Sequence, residues 1–503
     1  MYGLSDRELR FAVVISSAHF SQHVYYRILP PLIPVLAVAL AYPLWQLGLL
    51  ISLYAIGMGI VQAPVGVLSD RMDRRYLLPT GIVLTGAAYV LFAAAPVLGG
   101  PLPSVTLAGY VFEGGFLVMS LAMLAVGVGL AVVHPVGYPM VTDNVHSSNK
   151  GKVLGVFGAS SKIGDATAPA IVAVAILLLA WQQIVVLFGV VGVVYGVVLF
   201  VVLRSDEFET VPAGQRSADE ASDDGPRGGS RDGAGSDDEE NDGEASTGGV
   251  GTTDATADGT DVDGSASTDA NEDAADGTAA DGTAPTETGD GDRRGFLYPM
   301  VAVYLFFITS MLSTRGLNTF LPAFIVAVYA YSVEIGGVHV GAESVASVYF
   351  SVLLLAGAAM QLVLGGVTDA RDPRLVLIGC MAIATAGMVV LAIVPLHPAL
   401  LVVILVVLGT GLYGVNPARD ALISDLSPPE HEGRTFGYVF TAVTLTGAPL
   451  PTAIGYLLDV VGMREGFLLL AAGPLLAGVC IGLLYSDRVY AAAGGPTNTE
   501  PAD

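Results

Sequence analysis

The side chains with the clearest chemical potential in this chain are the ionisable ones set inside long apolar stretches. His19, His23 and Arg27 stand four and four apart, so one face of a helix would carry all three. His134 comes just before Pro135, Lys162 and Asp165 are three apart, and Arg315 is followed three residues on by Asn318. An ionisable group inside a membrane helix costs at least about 2.5–3.5 kcal/mol. Groups kept at that cost point to a transport path. Arg27, Lys162 and Arg315 are fixed cations, Asp165 is an anion and the histidines can be either neutral or charged. The balance is positive and should attract an anion. A guanidinium presents a planar fork that matches a carboxylate or phosphonate. His19, His23, Arg27, His134, Lys162, Arg315 and Asn318 are therefore expected to bind a small organic or phosphonate-like anion. Asp165, His19 and His23 are the groups able to take up a proton during a cycle. A carboxylate beside a cation can accept one when a substrate competes for that cation, and histidines change charge near neutrality. Blander readings stand beside these. Lys162 and Asp165 can neutralise each other as a structural pair, Arg27 and Arg315 can snorkel to an interface, and His134 can simply bond to a neighbouring helix.

Long spanning helices must position these groups. Of 503 residues 53% are hydrophobic and only 14% are charged, against roughly 25% charged in soluble domains. A bilayer core needs roughly 20 apolar residues per helix. The apolar runs predict twelve helices, at about Phe11–Leu40, Trp45–Leu68, Tyr76–Ala95, Phe116–Met140, Val153–Leu179 and Gln183–Leu203, then Phe296–Ala330, Glu343–Val367, Leu375–Val394, Ala399–Ala418, Thr435–Leu458 and Gly466–Tyr485. The expected fold class is an all-α membrane protein with twelve transmembrane helices in two pseudo-symmetric six-helix halves. The halves are residues 1–204 and 296–487. Between them lies an acidic segment, 205–295, and 488–503 form a tail. The first apolar run is too long for a signal peptide and lacks a convincing cleavage site.

The net charge of -24 is nearly all in one place. Residues 206–292 hold 26 Asp and Glu against Arg216, Arg227 and Arg231. That stretch has almost no large apolar residue, so disorder as a solvated tether is expected. Only three of the 22 basic residues are Lys; with the Asp-rich tether, this composition resembles that of salt-loving archaeal proteins. Arg7, Arg10, Arg71, Arg74, Arg75, Lys150, Lys152, Arg204, Arg293, Arg294, Arg371, Arg374, Arg434 and Arg488 fall at one set of helix ends, and Arg464 alone at the other. The positive-inside rule then places both termini and the central segment in the cytoplasm, in the cell membrane. Cys380 and Cys480 lie in apolar runs, so neither a disulfide framework nor a metal site is expected.

The chain repeats itself. Gln62, Gly66, Asp70, Asp73 and Arg75 recur 299 residues later as Gln361, Gly365, Asp369, Asp372 and Arg374. Pro135, Asp143, Gly151, Lys152, Gly155 and Pro169 recur 282 residues later as Pro417, Asp425, Gly433, Arg434, Gly437 and Pro451. Eleven in-register matches at corresponding places indicate duplication, the symmetry that alternating-access transporters use.

Gly66-Val-Leu-Ser-Asp70-Arg71-Met-Asp73-Arg74-Arg75 resembles the loop signature of the major facilitator superfamily between helices 2 and 3. Asp73 departs from the family's usual Gly, and the second copy, Gly365 to Arg374, is degenerate. The resemblance implies that Asp70, Arg71, Arg74, Arg75, Asp369 and Arg374 gate the cytoplasmic helix ends. The alternative is that the arginines only set topology. It also implies that helices 1, 4, 7 and 10 line a cavity. Gly155, Gly164, Ala168 and Pro169 are similar to the antiporter signature of drug exporters, with Ala168 in place of a Gly. His134-Pro135 and Leu29-Pro30-Pro31-Leu32 look like the fosmidomycin-resistance subgroup.

The leading expectation is proton-coupled export of a small anion or anionic drug by a monomer in the lipid bilayer, with no cofactor. Uptake of carboxylates is the second reading, and a non-transporting membrane sensor the third. No G-x-x-x-x-G-K-[ST] phosphate loop occurs, which disfavours an ATP-driven pump. No catalytic constellation or nucleic-acid-binding pattern stands out, so an enzyme is not expected.

Overall fold

The computed structural model describes residues 3–212, 215, 289–426, 443 and 445–485, with backbone alone over 289–300 and 424–426. Arg216, Arg227, Arg231 and the acidic stretch around them, the start of helix 11 with Arg434, and Arg488 lie outside the described residues.

Twelve helices make up the membrane body. Ten have the length and apolarity of a span: α1 Asp6–Leu40, α2 Leu44–Ser69, α3 Arg74–Gly99, α4 Gly114–Asn144, α6 Trp181–Leu203, α7 Val301–Val328, α8 Ala342–Ala370, α9 Pro373–Ile393, α10 Pro398–Ile423 and α12 Met463–Tyr485. The other two are α5, Lys150–Ala175, and α11, whose described part is Leu445–Val461. α5 is 26 residues long but carries Lys150, Lys152, Lys162 and Asp165. Its polarity, not its length, sets it apart. Two short hairpins were not foreseen: β1 Val105–Leu107 with β2 Tyr110–Phe112, and β3 Val333–Ile335 with β4 Val338–Val340. Both turn through glycine in the left-handed region, Gly109 in one and Gly336 and Gly337 in the other.

The helix ends differ from the expected ones for identifiable reasons. α1 starts at Asp6, capped by Ser5, whose hydroxyl accepts from the Glu8 N–H while the Glu8 carboxylate accepts from the Ser5 N–H. It breaks between Tyr26 and Leu29, just before Pro30 and Pro31. Proline lacks an N–H and crowds the carbonyl four residues back. α4 breaks between Leu130 and Val133 ahead of Pro135, and α10 between Tyr413 and Asn416 ahead of Pro417. Those two prolines are partners in the repeat. α10 therefore does not stop at Ala418 but resumes through Leu426. Glutamine side chains bond the carbonyls at both breaks: Gln22 Nε2 donates to Leu130 O at 2.7 Å and Gln361 Nε2 to Tyr413 O at 2.9 Å.

The expected boundary of the acidic segment also shifts. Residues 205–212 are bound to the N-terminal half. Arg7 Nε donates to Glu207 O at 2.6 Å, the Arg74 N–H to Thr210 O at 3.0 Å, and Phe208 is buried against Phe11. The helix containing α7 begins at Gly289, earlier than expected.

Both halves meet at the end away from the basic loops. Backbone approach there is close: a Cβ on Gly48 of α2 would stand 2.2 Å from Pro451 O, and one on Gly455 of α11 would stand 2.5 Å from Leu44 O. Ser52 and Thr452 hydroxyls are 2.8 Å apart. The Asp459 carboxylate of α11 accepts the Leu44 and Trp45 N–H groups at 3.1 and 2.9 Å. It thus caps the first turn of α2 from the other half. At the basic end, by contrast, a Cβ on Gly151, Gly155, Gly365 or Gly366 would meet no atom within 4 Å. This state is closed at the far end of the bundle. Asp459→Ala should weaken that closure by about 1 kcal/mol, the usual worth of an N-cap. Cysteines placed along the facing surfaces of α2 and α11 should then react with a soluble thiol reagent roughly fivefold more readily.

Candidate functional site

α1 delivers most of the site, because its break leaves Tyr26 and Arg27 at the level where α4 and α10 also break. Discontinuous helices near the midplane are a recurring basis for transporter sites. Arg27 Nε donates to Asp165 Oδ1 of α5 at 2.8 Å, and His23 Nδ1 lies 3.1 Å from the same oxygen. Arg27 is 7% exposed and Asp165 likewise 7%. This settles two sequence expectations. Arg27 does not snorkel, and the structural partner of Asp165 is Arg27 rather than Lys162. A lysine three residues away along the helix loses to an arginine that reaches straight across from α1.

Lys162, half-buried on α5, makes no ion pair among the described residues. Arg419 and Asp420 of α10, in the other half, stand near enough for their charges to act on it. Arg315 also stays inside the bundle. Its Nη1 donates to the Tyr26 hydroxyl at 2.9 Å, across the two halves, and it too has no carboxylate partner among the described residues. Arg27 lies over the ring of the same phenol, its guanidinium carbon 5.0 Å from the ring centre. Tyr54 of α2 packs on Tyr26 with ring centres 5.2 Å apart. Asn318 Oδ1 accepts from the Tyr413 hydroxyl at 2.6 Å.

The three membrane histidines come together although His134 is far from the others in sequence. His19 Nδ1 is 2.7 Å from Phe157 O, so that nitrogen carries the proton and donates. Its Nε2 faces His134 Nε2 at 3.2 Å. Gln22 Nε2 lies 3.4 Å from His134 Nδ1, while its Oε1 is buried without a partner.

Sequence reading missed Tyr26, Tyr54, Tyr413, Gln22 and Asp420, and took Gln361 only as a match in the repeat. Phenols and amides carry no formal charge, so a search for charges in apolar runs passes over them. Asp420 was lost because α10 was ended at Ala418, two residues before it, whereas the helix runs to Leu426. Asp165 is therefore not the single acid inside a span: Asp420, 45% exposed, lies 2.8 Å from Arg419.

The basic-end residues divide. Asp73 and Asp372 are N-caps, accepting from the Arg75 and Arg374 N–H groups at 3.0 and 2.8 Å. Each also binds the same arginine's side chain. Burial pushes the Asp372 carboxyl up, but the Arg374 hydrogen bonds outweigh it and hold the group below the usual carboxylate range. Arg74 is buried, bonded to Asp143 of α4 at 2.5 Å and to Ser69 O at 3.1 Å. These contacts lie within one half. Asp70, Arg71 and Asp369 are exposed, with no ion pair among the described residues.

The family model described as Major Facilitator Superfamily matches residues 15–354 and 303–501. The "Probable L-galactonate transporter" of Escherichia coli (strain K12) is 28% identical over 162 residues, 32% of each chain. The "Uncharacterized MFS-type transporter YfnC" of Bacillus subtilis (strain 168) is 23% identical over 161 residues, 32% of this chain and 35% of that one. The matched stretch spans about a third of these relatives. Among solved structures, an inward-facing, occupied bacterial homolog of the human lysosomal transporter Spinster superposes with a TM-score of 0.66 at 11% identity, covering 99% of this chain and 100% of that one. The xylose transporter XylE from E. coli, inward open, gives 0.62 at 12% identity, covering 94% and 96%. These likenesses establish the fold.

The Arg27–Asp165 pair yields a stability test. Removing one partner leaves a buried charge alone, which costs about 3–5 kcal/mol, whereas an apolar pair of similar volume is often tolerated. Asp165→Ala and Arg27→Ala should each lower the unfolding temperature in detergent markedly. Arg27→Leu combined with Asp165→Leu should restore much of the loss.

Proposed function

The chain belongs to the major facilitator superfamily, and on that premise we propose that it exports a small organic anion in exchange for protons. As a member it is a multi-pass secondary transporter, not an enzyme. The observation that carries the anion is the charge balance at the site. Arg27 is paired with Asp165 and Arg419 with Asp420, while Lys162 and Arg315 have no carboxylate within ion-pair distance among the described residues, although the charges of Asp165 and Asp420 reach Lys162. Two cations with no carboxylate bonded to them, in a low-dielectric setting, favour a negatively charged guest. The phenols of Tyr26, Tyr54 and Tyr413 and the amide of Asn318 add neutral hydrogen-bonding groups, which suit a hydroxylated carboxylate. The L-galactonate relative, a transporter of such an acid by its name, supports that class.

Basic loops put the termini and the segment between the halves in the cytoplasm, so the present state faces inward in the cell membrane. Residues 216–288 serve as a tether, and Asp70, Arg71 and Asp369 engage only when the basic end closes. For the proton the reading moves from Asp165, held by Arg27 and His23, to Asp420. Asp420 neighbours Arg419 and acts on Lys162 from the other half. A proton there removes a charge that otherwise competes with substrate for Lys162.

Uptake is the second reading. The purified protein should be stabilised by sugar acids or related carboxylates in a thermal-shift panel. Lys162→Ala and Arg315→Ala should each weaken that response at least tenfold, about 1.4 kcal/mol. A response unchanged in both variants would remove the anion assignment. In proteoliposomes, proton flow that drives the anion the opposite way supports exchange; movement of both in one direction supports uptake.

A further inference from the structure

We propose that His19, His23 and His134 form a transition-metal site in the middle of the bundle, taking a zinc-like divalent ion. One ring nitrogen from each lies within 4.8 Å of the others. Two nitrogens bound to a tetrahedral zinc at 2.0–2.1 Å stand about 3.3 Å apart. His19 Nε2 and His134 Nε2 are already at 3.2 Å. The third ligand has to close by at most roughly 1.5 Å to reach that spacing. His23, with its side chain 21% exposed, has the freedom to do so.

Ligating histidines usually give their second ring N–H to a carbonyl or carboxylate, which fixes the ring and strengthens the ligand. Such partners are already in place for two of the three. Phe157 O takes Nδ1 of His19 and the Asp165 carboxylate takes Nδ1 of His23, so both rings keep Nε2 for the ion. For His134 the partner is Gln22. Binding through Nε2 moves the His134 proton to Nδ1, which then needs an acceptor. Gln22, 4% exposed, has its Oε1 buried without a partner; turning the amide supplies that acceptor but gives up the Nε2 bond to Leu130 O, so ion binding at His134 exchanges one hydrogen bond for another.

The donor set is three neutral imidazoles, which suits zinc, nickel, cobalt or copper and not magnesium or calcium. Three protein ligands leave a fourth position for water or another small ligand. His19 is buried, whereas His23 and His134 are partly exposed, so an ion has a way in. Asp165 brings the nearest negative charge and offsets Arg27 at the same time. The site draws on no assumption about the transported anion, and occupying it would pin α1 to α4 during the cycle.

Cobalt tests the site directly. Tag-free full-length protein titrated with Co2+ should develop the visible absorption of a tetrahedral nitrogen-ligated ion, saturating at one per chain and displaced by Zn2+. His134→Gln and His23→Gln should each abolish it. Replacing the four other histidines together (His146→Gln, His339→Gln, His397→Gln and His431→Gln) should leave it intact. A band that survives His134→Gln, or that vanishes with the four distant histidines, overturns the proposal. Should the membrane variants fail to fold, the unmodified protein still decides. Zn2+ should slow carbethoxylation of His19, His23 and His134 by diethylpyrocarbonate, mapped by mass spectrometry, and protection confined to the other four would refute the site.

Discussion

A charge inside lipid must be neutralised, hydrated or used, and most features of this molecule follow from how its few buried charges meet that demand. The Arg27–Asp165 bond is the clearest case. It ties α1 to α5 where α1 has lost its regular hydrogen bonding ahead of Pro30 and Pro31. Without Asp165 the guanidinium would be stranded; without Arg27 the carboxylate would be. His23 leans on the same oxygen, Tyr26 lies against the same guanidinium, and Arg315 reaches that phenol from the other half. One ion pair therefore organises groups from both halves of the bundle.

The duplicated architecture explains why these groups converge. Pro135 and Pro417 interrupt α4 and α10 at matching places, and each interruption exposes carbonyls that a glutamine from another helix satisfies. Such repairs are obligatory where no water is present to bond the freed backbone. They also let polar side chains enter the interior at one level. The α2–α11 contact uses a different device. Small residues bring backbones together and the Asp459 carboxylate caps a helix of the opposite half. Helix caps and hydroxyl pairs are contacts that can break and reform, unlike an interlocked apolar core. That suits an end that must open.

Legibility in the sequence varied with the kind of information needed. Number, order and type of the helices could be read because a lipid-spanning segment announces itself by local composition alone. The repeat was visible because turn glycines, loop acids and prolines act within a few residues of where they sit. Asp73 and Asp372 are N-caps in register for that reason. Ends were less legible: α10 was ended at Ala418, where its apolar run gives out, although the helix resumes at Asn416 with Pro417 in its first turn, where proline is well tolerated. The docked segment 205–212 was hidden by its acids, since Glu207 reads as solvated until Arg7 and Arg10 are seen to meet it.

The sequence alone determined that this is a twelve-helix membrane transporter with a duplicated body, and that positive charge sits within it. Partner choice was left to the tertiary structure. Asp165 has Lys162 as its nearest cation along the chain, yet it bonds Arg27, because helix packing and not sequence distance sets which side chains can touch. The same holds for His134, which only packing brings to His19. Tyr26, Tyr54 and Tyr413 gained meaning only in three dimensions, since a neutral hydroxyl becomes informative through the charge it faces.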